Sequence, residues 1–315
     1  MESNETAPDG QVVDGTEPQP GGIGYHVMRL DSWALAKQFG TNSLPSHPQY
    51  LGGDQYWCFR GQVDASWGLR TTLEREGELH GSSPLSHMES ESRILHEYRR
   101  RAHHYEGGQS TELNSVDYLA LIQHHGGPTR LLDFTHSFYV ACFFALESAH
   151  SDAAVWAVNL SKLRQAAARK EAWRDLQRPL LFSNWSLMRC IEALDRGRAD
   201  LGVVPIEPYQ MSERLAAQQG MFLFPLNSAV SFAGNLEWAS ELTPGSLAEH
   251  RIQCVYRDGD GIPIETLDHK VLKMVLPKAI RRAAMKELRQ MNITSASLFP
   301  GLDGFARSLR WYLTP

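Results

Sequence analysis

Cysteine is scarce in this chain: four residues among 315, Cys58, Cys142, Cys190 and Cys254, none in a CxxC pair. That spacing excludes a disulfide framework and a thiolate zinc ribbon. Two of the four sit in apolar runs, where they read as buried free thiols of a reducing compartment. Long hydrophobic runs are missing too. The longest, around Phe138 to Leu146, falls far short of the roughly 20 residues that a bilayer span requires. With no visible leader, the expectation is a cytoplasmic protein with no membrane contact. Charge of one sign is also lacking, since the net value is −5 and gives no global attraction to nucleic acid. Several catalytic signatures are absent as well. There is no phosphate loop, no G-x-G-x-x-G fingerprint, no G-x-S-x-G elbow and no H-E-x-x-H pair. A P-loop ATPase, a Rossmann dehydrogenase, a serine hydrolase and a zincin all lose ground.

What is present is enough apolar sequence, 42% hydrophobic residues, for a substantial core. Residues 1–24 are the exception. They are rich in acidic residues, Pro and Gly and poor in large apolar side chains, so they read as a disordered tail. Residues 25–315 read as one domain. Asp31 to Gly40 suggests a short helix capped by Asp31 or Ser32 and stopped by Gly40. Tyr56–Gly61 is a strand, Glu89–His103 a helix with Ile94, Leu95 and Tyr98 on one face, and Ala153–Leu160 a buried strand. Ser161–Gln177 and Asn184–Leu194 look helical, and the prolines of Pro205–Pro208 mark an extended crossing. Ser212–Gln219 forms a short helix ended by Gly220, and Met221 enters a strand. Val271–Leu276 is a last strand with alternate faces, and Pro277 opens the helix Lys278–Gln290. Strands and helices follow no regular βα alternation. The predicted class is therefore α+β: a single domain with a mixed, split β-sheet core and helical insertions.

The densest polar cluster is Gln123-His124-His125-Gly126-Gly127-Pro128-Thr129-Arg130-Leu131-Leu132-Asp133-Phe134-Thr135. It lies between the apolar segments Asp117–Ile122 and Phe138–Leu146, where a tight turn can hold an active site rigidly. A purely architectural role is the competing reading, with Arg130 and Asp133 paired to satisfy each other in the core. On that reading, Asp133→Asn would leave Arg130 without a counter-charge. Arg99-Arg100-Arg101 reads as a solvated helix end that complements the dipole, and His103-His104 as a surface pair; no zinc-like spacing surrounds them.

A second stretch, Tyr56-Trp57-Cys58-Phe59-Arg60-Gly61-Gln62, precedes Trp67-Gly68-Leu69 and the later Glu91. With the Gln123–Asp133 words, these resemble the bacterial FRG domain family, named for its Phe-Arg-Gly signature. The resemblance continues through Arg214–Phe222 and Leu298–Leu302, and so runs from about Tyr25 to the C-terminus. It is also similar in outline to ADP-ribosyltransferases. There an aromatic-Arg-Gly strand supplies an arginine to the NAD diphosphate, a second strand a Ser/Thr or Tyr beside the nicotinamide, and a third a Glu or Gln motif.

That resemblance implies NAD as substrate, with no metal. Arg60, Gly61, Gln62, Arg130 and Thr135 would bind it, and His125, Asp133, Gln218 and Gln219 would serve catalysis. Arg60 would fork onto the diphosphate, and Gly61 would admit the cofactor backbone-close. The implied function is a toxin or defence effector that modifies a macromolecular acceptor (protein, RNA or DNA), with an antitoxin or chaperone as a further partner. One departure stands out, since glutamines occupy the place where a third-motif glutamate is usual. The alternative class is a non-catalytic nucleotide-sensing or interaction module of a bacterial conflict system. A nuclease using His124 or His125 as general base is weakened by the lack of a metal-binding carboxylate cluster. For Arg60 alone a structural salt bridge competes with ligand contact, and for Trp67, Phe134 and Phe138 core packing is favoured.

Overall fold

A computed structural model describes residues 25–42, 56–105, 113–170, 190, 194, 200–208, 211–260 and 269–313. The tail expected over 1–24, residues 43–55 and most of the helix expected over 184–194 lie outside these residues. Among the described residues, eight strands form one mixed sheet: β1 (Tyr25–Leu30), β2 (Trp57–Gln62), β3 (Leu132–Thr135), β4 (Ala153–Asn159), β5 (Val203–Ile206), β6 (Gly220–Pro225), β7 (Cys254–Tyr256) and β8 (Val271–Leu276). Their order is β5-β6-β3-β2-β4-β8-β1-β7. β1 runs parallel to its two neighbours, and all other pairs are antiparallel. The class is α+β.

The helices are α1 (Trp33–Asn42), α2 (Thr72–Leu79), α3 (His87–Arg101), α4 (Ser115–His124), α5 (Phe138–Leu146), α6 (Leu160–Arg169), α7 (Glu213–Ala217), α8 (Phe232–Ser240), α9 (Arg281–Gln290), α10 (Ser295–Leu298) and α11 (Leu302–Ser308). The Ser32 hydroxyl caps α1 by accepting from Leu35 N at 3.1 Å. That helix runs on past Gly40, which lies against the Phe138 ring, to Asn42. Pro277 caps a short 3-10 turn, Lys278–Ile280, before α9 begins.

Both faces of the sheet are covered. On one, α5 joins Met28, Leu30, Trp57, Phe59, Val155 and Met274 in a core that also takes in Phe39 of α1 and Leu288 of α9. On the other, Val27, Cys58, Trp156, Val158, Val271 and Val275 pack with Leu163 of α6 and Phe232 and Leu236 of α8. A third cluster lies under α4, where Val116, Leu119 and Ile122 meet Leu131, Phe222 and Phe224. The alternate faces expected of β8 enter the two cores, Leu272, Met274 and Leu276 one and Val271 and Val275 the other, so this central strand is buried at every position. Even Lys273 is inside, its Nζ donating to Trp67 O at 3.0 Å and resting 4.7 Å from the centre of the Trp156 ring. Burial lowers that ammonium to about 8.

α5 is apolar all round, and it presses directly onto β2 at Gly61. A Cβ there would sit 2.0 Å from Ala141 O and 2.6 Å from Ala145 N, both backbone atoms of the helix. The close approach that Gly61 allows is thus made by the protein's own α5 and not by a cofactor. Gly61→Ala must push the helix off the sheet, and overpacking of this kind costs about 1–3 kcal/mol. A thermal melt should show a clear loss for this variant; an unchanged melting temperature would mean that α5 is not seated as described.

Candidate functional site

α4 begins with a capping box. The Asn114 side chain accepts from Val116 N and Asp117 N at 2.9 and 3.0 Å, while Asp117 Oδ2 accepts from Asn114 Nδ2 at 2.5 Å. The helix then presents two stripes. Val116, Leu119 and Ile122 enter the core. Asp117, Ala120, Leu121 and His124, at spacings of 3, 4 and 7, line a cleft of about 420 Å3. The opposite wall is Ser212, Arg214, Leu215 and Gln218, from α7 and its caps, and the floor carries Asp133 of β3 beside Phe222 of β6. These last two are direct cross-strand partners.

The floor exists because the sheet is nearly parted between β2 and β3. Their register is the one pair Phe59 opposite Thr135, whereas β2 and β4 pair along six positions. Beyond that pair the Asp133 carbonyl has no β2 amide to meet. Arg60 of β2 fills the place: its Nη1 donates to Asp133 O at 2.8 Å and lies 3.7 Å from Asp133 Oδ2. The Arg60 side chain is 19% exposed and that of Asp133 60% exposed, so the carboxylate faces the cleft with a guanidinium behind it. Arg60 Nε is buried and has no hydrogen-bond partner among the described residues.

The other expected site residues divide sharply. Arg130 turns away from the cleft and does not pair with Asp133. Its Nε donates to Glu91 Oε2 at 2.6 Å and its Nη2 is ion-paired to the same oxygen; Nη1 donates to Leu226 O at 3.1 Å and Nη2 to Ser228 Oγ at 3.2 Å. The two charged side chains are 3% and 1% exposed. The physical reason is where Arg130 sits: it lies at a bend ahead of β3, which begins only at Leu132, and its guanidinium is directed inward to Glu91 and the turn after β6.

Thr135 is also spent on architecture. Its Oγ1 donates to Gln218 O at 2.7 Å and accepts from Ser137 N at 3.0 Å, tying β3 to the turn before β6. Gln62, on the same face of β2 as Arg60, donates to Gly68 O at 2.9 Å and accepts from Trp156 Nε1 at 2.7 Å. His125 caps α4 as an exposed residue, and the left-handed turn at Gly126 (φ 84°) carries the chain away behind it. It is His124, one residue earlier, that lines the cleft. Gln218 reaches the cleft with its amide nitrogen donating to Leu298 O at 2.9 Å, while Gln219 takes a left-handed conformation and accepts from His136 N at 3.0 Å.

Three cleft groups are shifted by their surroundings. Burial pushes the Asp117 carboxyl up, with the two contacts from Asn114 opposing. Burial lowers the His124 imidazole, helped by His125 and Arg214. Burial lowers Arg214 as well, with the Asp133 carboxylate working against it. Neither Asp117, read as part of a buried helix, nor Arg214, read within the family words, is an expected site residue from sequence, although the spacing of Asp117, Leu121 and His124 is a readable signal for one helix face. Among the described residues no group of His, Cys, Asp and Glu is placed to hold a metal ion, and no helix is long and apolar enough to cross a membrane.

Residues 55–154 match the family model described as FRG domain, a stretch that runs from the start of β2 into β4. The chain carries an FRG domain. Neither the curated proteins nor the solved structures give a match. The matched residues contain both arginine arrangements, Arg60 with Asp133 and Arg130 with Glu91. They should respond oppositely to mutation. Glu91→Gln strands a buried guanidinium and should cost about 3–5 kcal/mol, whereas the exposed Asp133→Asn should stay within about 0.5 kcal/mol of wild type. Denaturant unfolding of the two variants checks this, and a larger loss for Asp133→Asn would restore the Arg130–Asp133 pairing.

Proposed function

We propose that this FRG domain is an ADP-ribosyltransferase-like enzyme that binds NAD in the α4–α7 cleft and transfers its ADP-ribose to a macromolecular acceptor. The observation that carries the reading is the Arg60 guanidinium at the β2–β3 parting, beside an exposed carboxylate and with Nε unpartnered. The three segments that the ADP-ribosyltransferase outline calls on are also neighbours here, since β6, β3 and β2 lie side by side. A fixed fork with donors left over suits a diphosphate, and Arg214 supplies a second guanidinium on the opposite wall.

The chemistry follows from the charges. Cleavage of the bond between the ribose anomeric carbon and the pyridinium nitrogen sends the electron pair to nicotinamide, which leaves neutral. Positive charge then develops on the ribose, and the Asp133 carboxylate faces the cleft where it can stabilise that charge. An acceptor nucleophile, on protein, RNA or DNA, completes the transfer. The toxin or defence role and an antitoxin partner come with the resemblance.

A non-catalytic nucleotide-binding module is the second reading, and one observation favours it. Gln218 stands at the place of the third-motif glutamate, and its amide is held by Leu298 O. Release of nicotinamide from labelled NAD separates the two. Wild type should release it, and Arg60→Lys should reduce the rate roughly 10- to 100-fold with an unchanged melt, because the charge stays and the fork is lost. Equal turnover by Arg60→Lys would remove the diphosphate anchor. Binding of NAD without release would leave the module.

A further inference from the structure

Asp117 has a use that its capping role does not exhaust. Oδ2 closes the capping box with Asn114, but Oδ1 is buried and has no hydrogen-bond partner among the described residues. The residue is 8% exposed, yet it lines the cleft, one turn of α4 before Leu121 and two before His124. Leaving a carboxylate oxygen dry and unpaired is costly, and a ligand N–H would satisfy it.

Resting on the NAD reading above, we propose that Asp117 is the residue that selects the nicotinamide end of the ligand, its Oδ1 accepting from the carboxamide N–H. The cleft is polarised in a way that fits. Two carboxylates, Asp117 and Asp133, stand in it with the apolar side chains of Leu121 on the α4 wall and Phe222 on the floor, and the opposite wall bears the Arg214 guanidinium. Oxidised nicotinamide is a flat cationic ring with an amide donor, attached through a ribose to an anionic diphosphate. The ring suits the carboxylates and the apolar floor, and the diphosphate suits the arginines. Adenine is neutral and gains nothing from two negative charges. A ligand whose carboxamide is replaced by a carboxylate would bring like charge against Asp117 and lose the donor at once.

Titration calorimetry with three probes tests this: NAD, its nicotinic acid analogue, and its hypoxanthine analogue, which lacks the adenine amino group. Wild type should bind NAD about tenfold or more tighter than the nicotinic acid form, and bind the hypoxanthine form about as well as NAD. Asp117→Asn should shrink the first preference to about threefold or less. Asn114→Ser keeps a capping hydroxyl and the backbone N–H contact to Asp117 Oδ2 but removes the side-chain contact, so it should alter stability and leave the preference intact. Equal wild-type affinity for NAD and its acid form, or an unchanged preference in Asp117→Asn, overturns the assignment while NAD binding stands. Discrimination against the hypoxanthine form alone would place adenine at Asp117 and overturns it too. Failure of all three dinucleotides to bind removes the NAD reading and this inference together.

Discussion

The buried ion pair between Arg130 and Glu91 holds the parts of the site in relation to one another. One guanidinium takes a carboxylate from α3, a carbonyl and a hydroxyl from the turn after β6, and rests 5.1 Å from the centre of the Phe224 ring. Chain segments far apart in sequence are thereby fixed to the loop that feeds β3. Two charges this deep repay their desolvation only when nearly every donor finds an acceptor, and here Nε, Nη1 and Nη2 all do. With that loop fixed, β3 starts in one register, and Asp133 must face the cleft opposite Phe222.

A second constraint follows from the parting of the sheet. Strands β2 and β3 diverge after a single pair, and divergence leaves polar backbone to be satisfied. Arg60 satisfies one such carbonyl and places a positive charge under an exposed carboxylate in the same act. Gly61, next along the strand, lets α5 close the other face. Consecutive residues of one strand therefore serve opposite layers, as the alternation of side chains requires. The two arginines have different partners: Arg60 reaches Asp133 at the cleft floor, and Arg130 turns into the protein to Glu91.

Much of this was legible locally. The aromatic run around Trp57 marks β2, and the short helix expected from Ser212 and ended by Gly220 is α7, followed at once by β6. The words carrying Arg60, Glu91, Arg130 and Asp133 identified the FRG domain before any fold was known. What was not legible depends on pairing over long separations. Nothing near Val271 says that β8 will lie between β4 and β1 and be buried on both faces. Asp133 is the nearest acidic residue to Arg130 in sequence, but the partner is Glu91 of α3, 39 residues away and brought in by the fold. Asp117 looked like part of a buried helix, and buried it is; its meaning emerges only when α7 supplies the opposite wall.

The proposed dinucleotide site is the cleft between α4 and α7, whose floor residue Asp133 is held by Arg60. A crystal structure of the protein grown with NAD tests this proposal. Ligand density should run along that cleft, with the diphosphate within hydrogen-bond reach of Arg60 or Arg214 and the nicotinamide over Phe222 near Asp133. Density elsewhere on the molecule, or a cleft left to water at saturating NAD, would contradict it.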